Sequence, residues 1–153
     1  MMKRIAIAVG LVCLVSSGAA LAQEHWTEGP VWEVWCARTT EGHGEDYIEY
    51  LRSNYLPTMA EQKKQGLILD SKFFLHTPSG PNDPDICIAT LHKSYGAALD
   101  YSADFEAKAK AIAAQHYKTE DEDKQDEATK PRFEMRRDLG TTFYREIQLK
   151  PMP

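Results

Sequence analysis

The chain has 153 residues, with 18 basic and 23 acidic side chains and a formal charge of −5. That length suits one domain around one core. The acidic balance argues against nucleic acid or an anionic membrane surface as partner.

Residues 1–22 read as a secretory signal peptide. Lys3 and Arg4 form a basic start, Ile5 to Val15 an apolar core, and Ala20-Leu21-Ala22 a small-residue cleavage site. A membrane anchor needs a longer apolar run than this one, which gives way to Ser16, Ser17 and Gly18. The expected destination is the periplasm or the exterior, with cleavage near Ala22 and no membrane attachment afterwards. Cleavage removes Cys13, and the loss of Lys3 and Arg4 takes the formal charge from −5 to −7. Cys36 and Cys87 remain, an even pair in an oxidising compartment.

Residues 23–30 read as a lead-in, 31–150 as a single domain and 151–153 as a tail. Val31 to Thr39 is rich in β-branched and aromatic residues and ends in a Gly turn, which predicts strand one. A helix follows from about Glu45, because Tyr47, Ile48, Leu51, Tyr55 and Met59 recur at three- and four-residue steps. Gly66 marks its stop and Pro57 a kink inside it. Alternation from Leu67 to His76 predicts strand two, the Pro/Gly-rich run from Thr77 to Pro84 a loop, and Asp85 to His92 strand three of a hairpin.

Ser94 is placed to cap a short helix ending near Tyr101. Ala103 to Gln115 reads as another, with Phe105, Ala109, Ile112 and Ala113 on one side. Thr119 with Glu122 forms a capping-box pattern for a further helical stretch, which Pro131 interrupts or restarts. Gly140 is expected to end the helical region, and Thr141 to Leu149 alternates as the last strand.

The order β-α-β-β-α-β, with an expanded second helical connection, is the split pattern of an α+β, ferredoxin-like fold with a four-stranded antiparallel sheet. Two segments carry a closer likeness. Thr39 to Tyr47, a strand end, Gly turn, acidic start and aromatic residue, resembles the opening of dimeric α/β-barrel proteins. Leu139 to Leu149 resembles the end of exported bacterial members, most of them uncharacterised. The resemblance implies a homodimer in which two sheets face each other while helices cover their outer sides. Because relatives of this kind include cofactor-free oxygenases, haem-degrading enzymes and isomerases, it implies a range of chemistries and transfers no catalytic residue.

A symmetric hairpin sets Phe73 opposite Ile88 and Leu75 opposite Ile86. The ferredoxin-like order lays strand one beside strand three, bringing Cys36 opposite Cys87. The pair is read either as a cross-strand disulfide or as two small buried hydrophobes.

The same alignment gathers Glu33, Trp35, Thr90 and His92 on the helix-covered face, with Arg145 joining them from the last strand. A carboxylate beside an imidazole can move protons, an indole can stack a planar ligand, and a guanidinium can hold an anion. Three readings follow. The leading one is an exported homodimer binding a small apolar or aromatic molecule between sheet and helices. The second is a cofactor-independent oxygenase or isomerase with His92 and Glu33 as proton-transfer groups, Trp35 as a stacking wall and Arg145 as an anion holder. The third is a structural or partner-binding dimer without a pocket, in which Glu33 and Arg145 form an ion pair.

No cofactor is expected. His116 beside Tyr117 suits a haem ligand only through the resemblance, and reads more simply as a surface histidine. Glu120 to Asp123 lacks the spacing of a calcium loop, and the histidines show no metal-ligand spacing.

Overall fold

The computed structural model describes residues 25–152. The signal-peptide reading of residues 1–22 lies outside them. Eleven segments follow in order: strand β1 (Trp26–Thr39), helix α1 (Gly44–Tyr50), a π-helical turn (Leu51–Tyr55), α2 (Leu56–Lys64), β2 (Asp70–Leu75), β3 (Ile86–His92), α3 (Tyr95–Leu99), α4 (Ala103–Tyr117), α5 (Glu122–Thr129), α6 (Arg132–Met135) and β4 (Arg136–Leu149). The four strands form one antiparallel sheet in the order β2-β3-β1-β4. The fold is α+β and compatible with a ferredoxin-like one.

The hairpin register is the one that apolar alternation predicts: Phe73 faces Ile88 and Leu75 faces Ile86. β1 aligns with β3 so that Glu33 faces Thr90, Trp35 faces Ile88, and Cys36 faces Cys87. A disulfide joins these two cysteines.

Several boundaries differ from the sequence expectation. β1 begins at Trp26, inside the expected lead-in, because the long β4 supplies partners there: Trp26 pairs with Leu149 and Thr27 with Gln148. β2 begins only at Asp70. The chain leaves α2 through Gly66 at φ +72°, and residues 67–69 form bends rather than a strand, with Ile68 buried and Leu69 exposed.

β4 begins at Arg136, and Gly140 lies within it rather than before it. Ala37 pairs with Asp138 and Cys36 with Gly140, so one strand carries an extra residue at that point. Gly140 adopts φ +100° there, a conformation that suits a residue without Cβ at a β-bulge.

Pro57 does not kink a continuous helix; it follows the widened π-helical turn. A proline lacks the N–H for the ladder, and its ring collides with the carbonyl four residues back, here Ser53. Side chains take up carbonyls loosened by the turn: Asn54 Nδ2 donates to the Tyr50 carbonyl at 3.1 Å, and Thr58 Oγ1 to that of Asn54 at 2.9 Å.

Ser94 caps α3 as expected, its hydroxyl accepting from the Ala97 amide. Asp121, rather than Thr119, caps α5, because its carboxylate accepts from the amides of both Asp123 and Lys124. The Thr119 hydroxyl instead accepts from the Asp121 amide just before the helix.

The core lies on one side of the sheet. Ala37, Ile86 and Ile88 pack under Tyr47, Tyr50 and Leu51, with Trp35, Tyr55 and Met59 at its margin. Among the described residues, the opposite sheet face, carrying Trp32, Val34, Ala89, Leu91, Phe74 and Tyr144 by alternation, belongs to no helix-packed core.

Candidate functional site

The helix side of the sheet holds a cavity of about 240 Å³. β1 supplies Glu33 and Trp35, and β3 supplies Ile88 and Thr90. These are near neighbours because residues two apart on a strand share a face, and antiparallel pairing sets Glu33 beside Thr90 and Trp35 beside Ile88. Tyr55 at the end of the π-helical turn and Met59 on α2 form the opposite wall. An extra residue in a helical turn rotates everything after it by about 100°, so the turn decides which side chains α2 shows the sheet.

Arg132 and Arg136 complete the lining. The Arg136 guanidinium lies 4.1 Å from the centre of the Trp35 ring and 5.6 Å from that of Tyr47, a stacked cation–π arrangement. Trp35 is held from its other end, since its Nε1 donates to Asp138 Oδ2 at 2.9 Å. That bond, then the Gly140 amide and the Arg136 charge, hold the Asp138 carboxyl below its ordinary value. The indole is thereby fixed as a wall before any ligand arrives.

Glu33 also borders a second, wider groove of about 1180 Å³ between the sheet edge, α3 and α4. Leu67, Phe105 and Ala109 line it, with His92 and Lys93. His92 is buried, its side chain 6% exposed, whereas Glu33's is 36% exposed; His92 Nε2 lies 3.0 Å from Glu33 Oε2. The other ring nitrogen, Nδ1, is buried without a partner. A buried N–H left unpaired costs more than an unpaired acceptor lone pair, so the arrangement makes Nε2 the nitrogen that donates to Glu33. In the smaller cavity Glu33 is the member of the pair on the lining, and His92 positions it.

Burial governs the tyrosines beside the site. It raises the Tyr47 phenol well above its ordinary range and pushes Tyr50 up to about 12, with Tyr117 adding to the effect on Tyr50. Arg132 and Arg136 act in the opposite sense on Tyr47.

Of the residues singled out from sequence, Glu33, Trp35 and Thr90 share the cavity, and His92 stands behind Glu33. Arg145 does not join them. It sits opposite Val31 on β4, ion-paired to Glu28 and 4.7 Å from the Tyr95 ring centre. The expected Glu33–Arg145 pair is therefore replaced by Glu33–His92 and Arg145–Glu28. The reason is β4's register: Arg145 lies on the expected face but pairs with Val31, and the position opposite Glu33 goes to Phe143. His116 is engaged within the fold, its Nε2 3.2 Å from Asn54 Oδ1 and its ring edge-on to Tyr117.

Arg132 and Arg136 were missed by sequence reasoning. No sequence period marks them, because Arg132 lies on α6 and Arg136 is already the first residue of β4. No group of three or more His, Cys, Asp or Glu residues among those described could hold a metal ion. Comparison with protein-family models, with curated proteins and with solved structures yields no match.

Proposed function

We propose that this is an exported, homodimeric α/β-barrel protein that binds a small aromatic molecule between its sheet and its helices. The observation that carries the reading is the cavity of about 240 Å³ beside Trp35. Tight packing by Trp35, Phe73 and Phe105 would leave no such space, but Phe73 is exposed and Phe105 borders the wider groove. Apolar walls with a few converging polar groups are the usual make-up of a small-molecule site.

The sheet face that no helix among the described residues covers supports the dimer. Phe74 is 48% and Tyr144 57% exposed there, and sheets stack face to face about 10 Å apart. Lys72 lies over the Trp32 ring while Trp32 Nε1 donates to Glu146, so the face also carries both charges. A two-fold axis can pair such a surface with itself.

Native mass spectrometry of the protein recovered from its own compartment tests both parts. A dimer carrying a small-molecule adduct is expected, and an empty monomer refutes the reading. Tyr144→Glu is expected to give a folded monomer.

The Glu33–His92 hydrogen bond favours a second reading, a cofactor-independent isomerase or oxygenase in which Glu33 removes a proton from the bound molecule. It requires Glu33-dependent incorporation of solvent deuterium into the recovered ligand. Ligand that stays unlabelled after incubation with the wild-type protein refutes it.

A further inference from the structure

We infer that the ligand of the sheet–helix cavity is a single-ring aromatic monocarboxylic acid, with a hydrogen-bond donor on the ring away from the carboxylate. This rests on the binding reading above and specifies its ligand class.

Two cations on the cavity wall lack a carboxylate that answers their charge. The Arg136 side chain is 7% exposed, and its nearest acid is Asp138 at 4.0 Å, a carboxylate already taken by Trp35 and Gly140. Its Nε is buried with no hydrogen-bond partner. Arg132, one helical turn earlier on the same cavity, also has a buried Nε without a partner. Among the described residues no carboxylate forms a salt bridge with Arg132. Buried guanidinium groups are costly unless paired. Arg136 is such a group, and Arg132, half-buried with its guanidinium 4.9 Å from the exposed Phe133 ring, adds a second positive charge to the same wall, a local inversion of sign in a chain of formal charge −5. The group that satisfies both is an anion, and a planar carboxylate matches the guanidinium fork.

The remaining walls limit the rest of the molecule. Trp35, Met59 and Ile88 offer flat and apolar surface to a ring. A volume of about 240 Å³ falls below the roughly 300–1,000 Å³ typical of drug-sized ligands, which suits one ring rather than two. Glu33 lies one strand step of two residues beyond Trp35 on the same face, and neither arginine forms a salt bridge with it among the described residues. With His92 donating to it, the Glu33 carboxylate has acceptor capacity left and no proton to give. It therefore repels a second acid and calls for a hydroxyl or similar donor. A dicarboxylic acid fits one end and is rejected at the other.

The test is isothermal titration of the mature protein with 4-hydroxybenzoate, its neutral isostere 4-hydroxybenzamide, benzoate and terephthalate. Charge-assisted hydrogen bonds imply that 4-hydroxybenzoate binds about ten- to a hundredfold more tightly than the amide. Benzoate and terephthalate are expected to bind more weakly than 4-hydroxybenzoate. Arg132→Gln and Arg136→Lys are each expected to weaken the acid more than the amide, so that most of the gap between the two closes. The comparison of acid with amide needs no variant, so it stands even if one of them fails to fold. An amide that binds as tightly as the acid overturns the anion assignment while leaving the cavity reading intact. If none of the four binds protein shown by circular dichroism to be folded, both fall.

Discussion

Removing the Cys36–Cys87 bridge is expected to lower stability mainly through the unfolded chain. The two cysteines are 51 residues apart in sequence, and closing a loop of that length restricts the denatured ensemble by about 4 kcal/mol in the chain-entropy model. The folded state loses little, because β1 and β3 stay paired on both sides of the bridge, from Val31–His92 to Ala37–Ile86. Urea unfolding of the oxidised protein and of a Cys36→Ala/Cys87→Ala variant measures the difference. The variant should lose about 4 kcal/mol, with a drop in Tm on the order of 15 °C. Its m-value should rise, since an uncrosslinked chain exposes more surface on unfolding. A loss below about 1 kcal/mol, with the bond verified in the wild type, would refute the entropic reasoning. Two alkylatable thiols in unreduced protein would refute the bond itself.

Three further outcomes follow from the site and its supports. Glu33→Gln keeps an acceptor for His92 Nε2 at the position of Oε2, so thermal melting should shift little while ligand binding is lost; collapse of the fold would mean that the pair is structural. Gly140→Ala places a Cβ in open space but at φ +100°, so its cost is backbone strain of about 1–3 kcal/mol, and an unchanged urea midpoint would exclude strain at this bulge. Tyr47 and Tyr50 are raised in the folded state. The native protein thus holds protons that the unfolded chain releases near pH 10, and their contribution is complete below that pH and lost as pH rises toward about 12 for Tyr50. Absorbance titration of tyrosinate should show these two phenols ionising last, together with unfolding, and smooth ionisation of all the tyrosines near pH 10 would contradict it.

The strands were legible because their information is local. Alternation in Phe73, Leu75, Ile86 and Ile88, together with a loop of definite length, leaves one register that puts the apolar residues on one face. Laying β1 beside β3 in the expected strand order then placed Glu33, Trp35, Thr90 and His92 together and set Cys36 opposite Cys87. The caps and breaks were less legible. Thr119 and Asp121 offer side-chain acceptors of similar quality two residues apart, and the helix starts where the amides of Asp123 and Lys124 converge on Asp121. Gly140 reads as a stop in either setting, since a helix end and a β-bulge both favour positive φ.

By itself the sequence determined the strand faces, the hairpin, the neighbours of Glu33 and the juxtaposition of the two cysteines. The faces and the hairpin follow from a two-residue period and a short connection, whereas Cys36 beside Cys87 and Glu33 beside Thr90 follow only once the expected strand order lays β1 against β3. Only the tertiary structure decided which arginines reach the cavity. Arg145 belongs to a regular strand, yet its side chain goes to Glu28 and Tyr95. Arg132 and Arg136 come from the short helix and strand start after α5, where no sequence period ties them to Trp35. Their position is set by how the expanded connection returns to the sheet, by packing over a separation of about a hundred residues. Contacts at that distance arise from the sum of many turns and packings, and no window of the sequence contains them.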